Sequence, residues 1–109
     1  MRDPRTEKVA DLMVNYSLGV QPEQRVMIQG ALGGEPLMSE ICKKVIQAGA
    51  YPMFVPFYSE YFENIFQYAK PEDFDALLQP YLDMVNTFDH RIYVYGENNT
   101  KYASQFDPD

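Results

Sequence analysis

Short apolar segments alternate with amphipathic segments along this chain, and this alternation restricts the fold more than any other feature. Residues 25–29, 51–57 and 91–95 have the length and composition of β-strands, and segments with helical periodicity lie before and between them. Strands that alternate with helices are joined by crossover connections, which favour parallel pairing. The sequence therefore predicts an α/β fold: a three-layer, mainly parallel open sheet with helices on its faces.

The first two helices have recognisable starts and apolar stripes. Asp3-Pro4 is suited to begin the first helix, which should end near Leu18. Its predicted buried stripe is Val9, Leu12, Met13 and Tyr16. Glu35-Pro36 begins the second helix, and Gly49 follows it at a position suited to a left-handed cap. Its predicted buried face is Leu37, Met38, Ile41, Cys42, Val45 and Ile46, and its predicted wet face is Glu40, Lys43, Lys44 and Gln47.

The second half of the chain is interrupted by prolines. Pro52 and Pro56 cannot donate hydrogen bonds to a ladder, so the strand over residues 51–57 should be short or at a sheet edge. Helical patterns follow over residues 59–69 and 71–78, and Pro80 should close or kink the second before another helical piece at 81–88. Residues 96–99 read as a turn and residues 100–105 as the beginning of a helix. We expect one domain over residues 1–109 that is part of a longer protein.

Charge and composition argue against several classes of partner. The chain has nine Lys and Arg against sixteen Asp and Glu, a formal net charge of −7, which repels nucleic acids and anionic membrane surfaces. No run of about 18 apolar residues predicts a membrane span. The N-terminal residues lack the apolar core of a signal peptide, which predicts a cytoplasmic protein. A single cysteine, Cys42, excludes an internal disulfide.

The segment RVMIQGALGGEP, residues 25–36, resembles a phosphate-binding strand–glycine–helix unit. A dinucleotide fingerprint needs a second glycine two residues after Gly30, where Leu32 stands. Glu35 and Pro36 stand where a P-loop has its last glycine and its lysine. Glu35 also places a carboxylate at the helix start, where an anionic ligand would bind. A plain turn is therefore favoured over a nucleotide site, although a small neutral or cationic group could bind near Glu35.

A few residues have the chemistry for catalysis or metal binding, but none has a strong signature. His90 beside Asp89 could serve in acid–base chemistry, and a capping or surface role is favoured. Glu60 and Glu63 lie one helical turn apart and could share a hard metal ion, but are better explained as the wet edge of a helix. Cys42 is predicted to be buried and inert. We assign no catalytic, metal or cofactor residue.

Aromatic residues are concentrated in FYSEYFENIFQY, residues 57–68. One helical stripe cannot bury all of them, so some should face solvent or a partner. The aromatic residues concerned are Phe57, Tyr58, Tyr61, Phe62, Phe66 and Tyr68. Basic residues are too few around them for a nucleic-acid surface.

Four stretches together resemble the N-terminal domain of M29-family metallo-aminopeptidases, the leucyl aminopeptidase-like group of aminopeptidases T and S. They are DPRTEKVADLMVNYSLGVQP from residue 3, RVMIQGALGGEPL from residue 25, AGAYP from residue 48 and ENNTKYASQFDPD from residue 97. The resemblance covers nearly the whole chain and is least distinctive over residues 58–88. It rests on the ordered set of stretches rather than on one motif.

The resemblance implies a two-domain hydrolase that releases N-terminal amino acids from peptides with two divalent metal ions, Zn, Co or Mg. In that family the metal ligands belong to the second domain, so the resemblance implies no ligand here and no activity for this domain alone. It also implies a homodimeric parent enzyme in which this domain walls the substrate cleft. Glu35, Tyr58, Tyr61 and Phe62 are our candidates for an interdomain or dimer surface.

Two functions of other classes fit the same sequence. A small-ligand or nucleotide-binding module would use the glycine turn and would be stabilised by its ligand. A free-standing acidic interaction domain would dock through its aromatic residues and would show no response to ligands. The glycine spacing disfavours the first, and the helix begun at residue 100 disfavours the second.

Overall fold

A three-stranded, all-parallel sheet with the strand order β2-β1-β3 forms the centre of the protein. The computed structural model describes residues 4–31 and 35–94, with the backbone alone for Glu35. The strands are β1 (Arg25–Gly30), β2 (Tyr51–Pro56) and β3 (His90–Val94). The helices are α1 (Pro4–Asp11), continued by a π-helix (Leu12–Ser17), α2 (Glu35–Gln47), α3 (Ser59–Tyr68), a 3₁₀ turn (Pro71–Asp73) and α4 (Phe74–Asn86).

The predicted α/β class and parallel open sheet are confirmed, and the helices lie on both faces of the sheet. One face packs on α2 and α1 through a core that includes Val26, Ile28, Met38, Ile41 and Val45. Residues on the opposite face of β1 meet α4, where the Tyr81 hydroxyl donates a hydrogen bond to the Gln29 side-chain oxygen at 3.2 Å. Among the strands of residues 4–31 and 35–94, β2 lies at an edge, as predicted.

The first helix buries different residues from those predicted. Ala10 and Val14 are fully buried, whereas Val9, Leu12 and Tyr16 are exposed. The helix widens into π geometry after Asp11, and the Leu18 N–H donates to the Met13 carbonyl five residues earlier at 3.0 Å. A π turn rotates the residues that follow it relative to an α-helix, which accounts for the exposure of Leu12 and Tyr16. Met13 packs partly buried against the core, so this member of the predicted stripe is confirmed.

The second helix departs from its predicted face at two positions. Ile46 is 58% exposed and Glu40 is buried, the reverse of the prediction. The cause is α1, which packs beside α2 and places Glu7 3.2 Å from the Lys44 ammonium. The flank of α2 that carries Glu40 is covered, and Lys43 pairs with the Glu40 carboxylate at 2.8 Å. Ile46 lies almost opposite Lys44 around the helix and is left in solvent.

Pro80 does not close the helix in which it lies. The structure has one helix from Phe74 to Asn86 with Pro80 inside it, rather than two pieces separated at Pro80. Pro80 and Ala76 are exposed, so water can satisfy the Ala76 carbonyl that loses its helical donor.

Some predictions lie outside the described residues. They concern Asp3, Gly33, Gly34, Tyr95, the turn at 96–99 and the helix at 100–105. Within residues 4–31 and 35–94 no helix is long and apolar enough to cross a membrane.

Candidate functional site

The carboxyl ends of the three strands lie together at one end of the sheet because the strands are parallel, and we call this end the carboxyl edge. In open α/β sheets this edge is where ligands and partners bind. β1 ends there at Gly30 and α2 begins there at Glu35, while Phe57 and Tyr58 follow the end of β2. The fold therefore brings the predicted surface residues Glu35, Tyr58 and Tyr61 to the same edge.

Phe62 is the packed centre of the aromatic residues at this edge. Its ring lies 6.0 Å from Phe57, 5.3 Å from Tyr61 and 5.2 Å from Tyr81, measured between ring centroids. Tyr81 in turn bonds to Gln29, which is buried in the central strand. Phe62 is thus half-buried and connects α3 to α4 and the sheet.

Tyr58 and Tyr61 are the exposed members of this group, with 63% and 48% of their surface accessible. The Tyr58 hydroxyl donates a hydrogen bond to the Glu60 carboxylate at 2.7 Å. That bond, with the nearby carboxylate charge, raises the pKa of Tyr58 above its ordinary value. In this arrangement the phenol is the hydrogen-bond donor and the Glu60 carboxylate is the acceptor.

Apolar exposure is concentrated on the side of the sheet that carries α3 and α4. Ile65 is the buried residue of α3, and α4 has none. The exposed large side chains on this side and its rims are Met53, Phe57, Tyr58, Tyr61, Phe66, Tyr68, Leu77, Leu82 and Tyr93. A single domain seldom leaves so much apolar surface in water unless a partner covers it. The expectation that some aromatic residues face outward is confirmed.

The Asp89–His90 pair is structural and lies at the amino ends of the strands, at the opposite end of the sheet from the carboxyl edge. Asp89 Oδ2 accepts a hydrogen bond from the Arg25 backbone N–H at 2.8 Å, and the Asp89 N–H donates to the Arg25 carbonyl at 2.9 Å. His90 Nε2 lies 2.9 Å from the Gln24 side-chain oxygen. Asp89 thereby joins the start of β1 to the start of β3, and its carboxylate bonds to the Arg25 backbone while the His90 imidazole bonds to Gln24.

The packing around residue 30 explains why the segment at residues 25–36 has a glycine there. A Cβ atom at this position would lie 2.6 Å from Met38 Sδ and 2.7 Å from the Val94 carbonyl oxygen. The space beside Gly30 is occupied by the protein itself, which supports the interpretation of this segment as a turn rather than a phosphate cradle. The small-ligand alternative gains no support from Gly30, and Gly33 and Gly34 lie outside the described residues.

The remaining candidates stay apart from one another. Glu60 bonds to Tyr58, and both Glu60 and Glu63 are exposed on α3. Among the residues that the structure describes, no group of three or more His, Cys, Asp and Glu side chains could hold a metal ion. Cys42 is half-buried, not buried as predicted, because it lies at the margin of the face that α2 presents to the core.

The pair of Gln29 and Tyr81 was not predicted from the sequence. Gln29 is 2% exposed in the central strand and accepts the Tyr81 hydroxyl across the interface with α4. A glutamine directly after the apolar run of β1 was the available signal, since a buried amide requires a partner. The bond fixes α4, and with it Phe62, over the central strand.

Comparison with known proteins identifies the chain. The family model of the thermophilic metalloproteases, peptidase family M29, matches residues 2–109. No curated protein matches the chain. Because the family match spans almost the entire sequence, this chain belongs to peptidase family M29, the thermophilic metalloproteases.

Proposed function

We propose that this chain is the N-terminal α/β domain of a two-domain M29 aminopeptidase, which releases N-terminal amino acids from peptides. The family match over residues 2–109 carries the proposal, because it assigns the chain to metallopeptidases. Two divalent metal ions, Zn, Co or Mg, would be held by the second domain. They would polarise the scissile carbonyl and supply a hydroxide nucleophile when bound.

In this proposal the domain walls the substrate cleft and restricts access, and it does not take part in the chemistry. The proposed role rests on the shape of the domain and on its exposed surface. Tyr58 and Tyr61 provide exposed rings, and Phe62 packs between Tyr61 and Tyr81 of α4. Glu35 begins α2 at the same edge. We propose that these four residues face the catalytic domain in a cytoplasmic, homodimeric parent enzyme.

The first test compares the 109-residue chain with the product of the reading frame beyond codon 109. We expect the frame to continue and its product to release amino acids from peptides only with a divalent metal ion. Chelation with EDTA should abolish this release, and adding back Zn, Co or Mg should restore it. The 109-residue chain should be inactive under the same conditions.

Two results would contradict the proposal. A stop codon directly after codon 109 would mean that no second domain follows. Peptide hydrolysis by the 109-residue chain itself, dependent on added metal, would place the catalytic site within it. In the first case the interaction-domain alternative would become the better explanation of the exposed aromatic residues.

The surface role can be tested with a double substitution, Tyr58→Ser and Tyr61→Ser, in the longer product. Both rings are exposed, so the fold should be retained, while kcat/KM should fall by about tenfold or more if they position the cleft. Tyr68→Ser is the matched control, because Tyr68 is 75% exposed at the far end of the same helix. Equal activity of the double variant and the control would show that Tyr58 and Tyr61 do not line a functional interface.

A further inference from the structure

The helices on the two faces of the sheet differ in how they are packed. On one face, α1, the π-helix and α2 share one continuous apolar core with the strands, which we call the main core. Its buried members are Ala10, Val14, Val20, Val26, Ile28, Met38, Ile41, Val45, Ala50, Ile92 and Val94. Among the described residues, α3 and α4 contribute none of them. These two helices, which we call the α3–α4 layer, therefore pack outside the main core.

The α3–α4 layer covers a smaller buried region on the opposite face of the sheet. Alternate residues of a strand direct their side chains to the same face, so Met27 shares with Gln29 the face that meets α4. Met27 is fully buried and Ile65 of α3 is 7% exposed, and both lie outside the main core. No residue of α4, which the structure describes throughout, is buried. Docking of this layer therefore withdraws less apolar surface from water than docking of α2.

Two pairs of aromatic rings join α3 to α4. The ring centroids of Phe62 and Tyr81 are 5.2 Å apart, and those of Phe66 and Phe74 are 5.9 Å apart. Both pairs have the edge-to-face geometry that aromatic rings favour. Because the two pairs lie at different points along the helices, we expect α3 and α4 to move together.

The hydrogen bond between Tyr81 and Gln29 links this layer to the central strand. Gln29 is 2% exposed, and its side-chain oxygen accepts the Tyr81 hydroxyl at 3.2 Å. A bond between groups shielded from water is costly to break, because each group loses its partner before water replaces it. A second polar link lies at the exposed end of α4, where Arg91 Nη1 is 3.3 Å from the Val85 carbonyl and 3.4 Å from that of Phe88. Water competes for the second link but not for the first.

We propose that the α3–α4 layer opens from the sheet as one unit while α1, α2 and the strands stay folded, and that the Tyr81–Gln29 bond is the latch that keeps it closed. Proteins open in cooperative parts of unequal stability, and parts with little apolar burial open most readily. Opening would expose Met27 and Gln29 to water. It is a property of the 109-residue chain and does not depend on the proposed peptidase role.

The latch would also control the aromatic residues of the carboxyl edge. Tyr61 and Phe62 belong to α3, whereas the Phe57 N–H donates to the Gly30 carbonyl at 2.9 Å and so ties Phe57 to the sheet. The Phe57 and Phe62 rings lie 6.0 Å apart in the closed state. Opening would separate these rings and carry Tyr61 away with α3. The aromatic surface of the structure therefore belongs to the closed state.

Amide hydrogen exchange of the 109-residue chain, followed residue by residue by NMR at low urea concentrations, tests the opening. After correction for intrinsic rates, we expect the interior amides of α3 and α4 to exchange faster than those of β1 and α2. Their exchange should also depend less on urea, because a partial opening exposes less surface than global unfolding. The amides of α3 and α4 should share one urea dependence, since the layer opens as a unit.

Ile41→Val separates a partial opening from global unfolding. Ile41 is fully buried in the main core, which stays formed in the open state. The substitution should speed exchange of the β1 and α2 amides by about threefold or more, as expected for the loss of one buried methylene. The α3 and α4 amides should be unaffected, because the closed and open states lose the same packing. Equal acceleration of both sets would mean that the chain unfolds as one unit, which would overturn the proposal.

Tyr81→Phe tests the latch, with Tyr68→Phe as the matched control. Tyr81→Phe keeps the ring and removes the hydroxyl, so exchange of the α3 and α4 amides should rise by about fivefold or more. Tyr68 is 75% exposed on the same layer, so loss of its hydroxyl should leave exchange unchanged. No acceleration in Tyr81→Phe, or the same acceleration in both variants, would show that the bond is not a latch. Amides of α3 and α4 that exchange as slowly as those of β1 in the unsubstituted chain would contradict the opening itself.

Discussion

Replacing Ile41 with alanine should lower the free energy of unfolding by about 2–5 kcal/mol, as expected for a large-to-small change in a packed core. Ile41 is fully buried where α2 packs on the sheet, and it belongs to the same apolar cluster as Val26 and Ile28. Truncation would remove buried methyl and methylene groups and leave a cavity between two rigid elements. Urea unfolding followed by circular dichroism measures the change.

Ile46→Ala is the matched control, since it is the same substitution one and a half turns later in the same helix. Ile46 is exposed, so its truncation should change the free energy of unfolding by no more than about 0.5 kcal/mol. A comparable loss at both positions would mean that Ile46 is buried in solution, either by a rotated α2 or by self-association. Repeating the measurement at a lower protein concentration separates these two explanations.

Gly30→Ala should cost about 1–3 kcal/mol, the usual penalty for forcing an extra group into a packed region. The new Cβ would overlap with Met38 Sδ, which can move, and with the Val94 carbonyl oxygen, which cannot move without shifting β3. Gly30→Val should cost more than Gly30→Ala, because its additional methyl groups enter the same space. The free energies of unfolding of both variants provide the test.

Gly19 offers a comparison that separates crowding from backbone strain. Gly19 has a φ of +59°, and no atom lies within 4 Å of the point that an added Cβ would occupy. Gly19→Ala should therefore cost only the left-handed penalty of about 1–2 kcal/mol. Enlarging the side chain should matter strongly at Gly30, where atoms are in the way, and much less at Gly19. If the alanine and valine variants of Gly30 are equally stable, the close approach of Val94 is not a constraint on β1.

Local chemistry was enough to predict the order of the elements. The apolar runs of β1, β2 and β3 and the starts of α2 and α3 lie close to where the sequence places them. Short strands and helix starts depend on neighbouring residues, so a single sequence contains the necessary signals. The position of β2 at an edge also followed from its prolines, because the missing N–H groups exclude a central strand.

The candidate site was only partly predictable. An excess of aromatic residues after β2 indicated an exposed surface, and Tyr58 and Tyr61 are exposed. The sequence did not distinguish them from Phe62, which is packed against Tyr81 from a helix some twenty residues further along the chain. The roles of Asp89 and His90 likewise depended on partners at Arg25 and Gln24, which no local pattern connects to them.

The sequence by itself determined the fold class, the order of strands and helices, the edge position of β2 and the family. Only the tertiary structure decided which residues at the margins of the helix faces are buried, since this depends on how the elements pack. Glu40 is covered and Ile46 is exposed because α1 lies beside one flank of α2, and the π-helix turns Leu12 and Tyr16 into solvent. Periodicity identifies an apolar stripe, but the neighbouring element determines which residues lose contact with water.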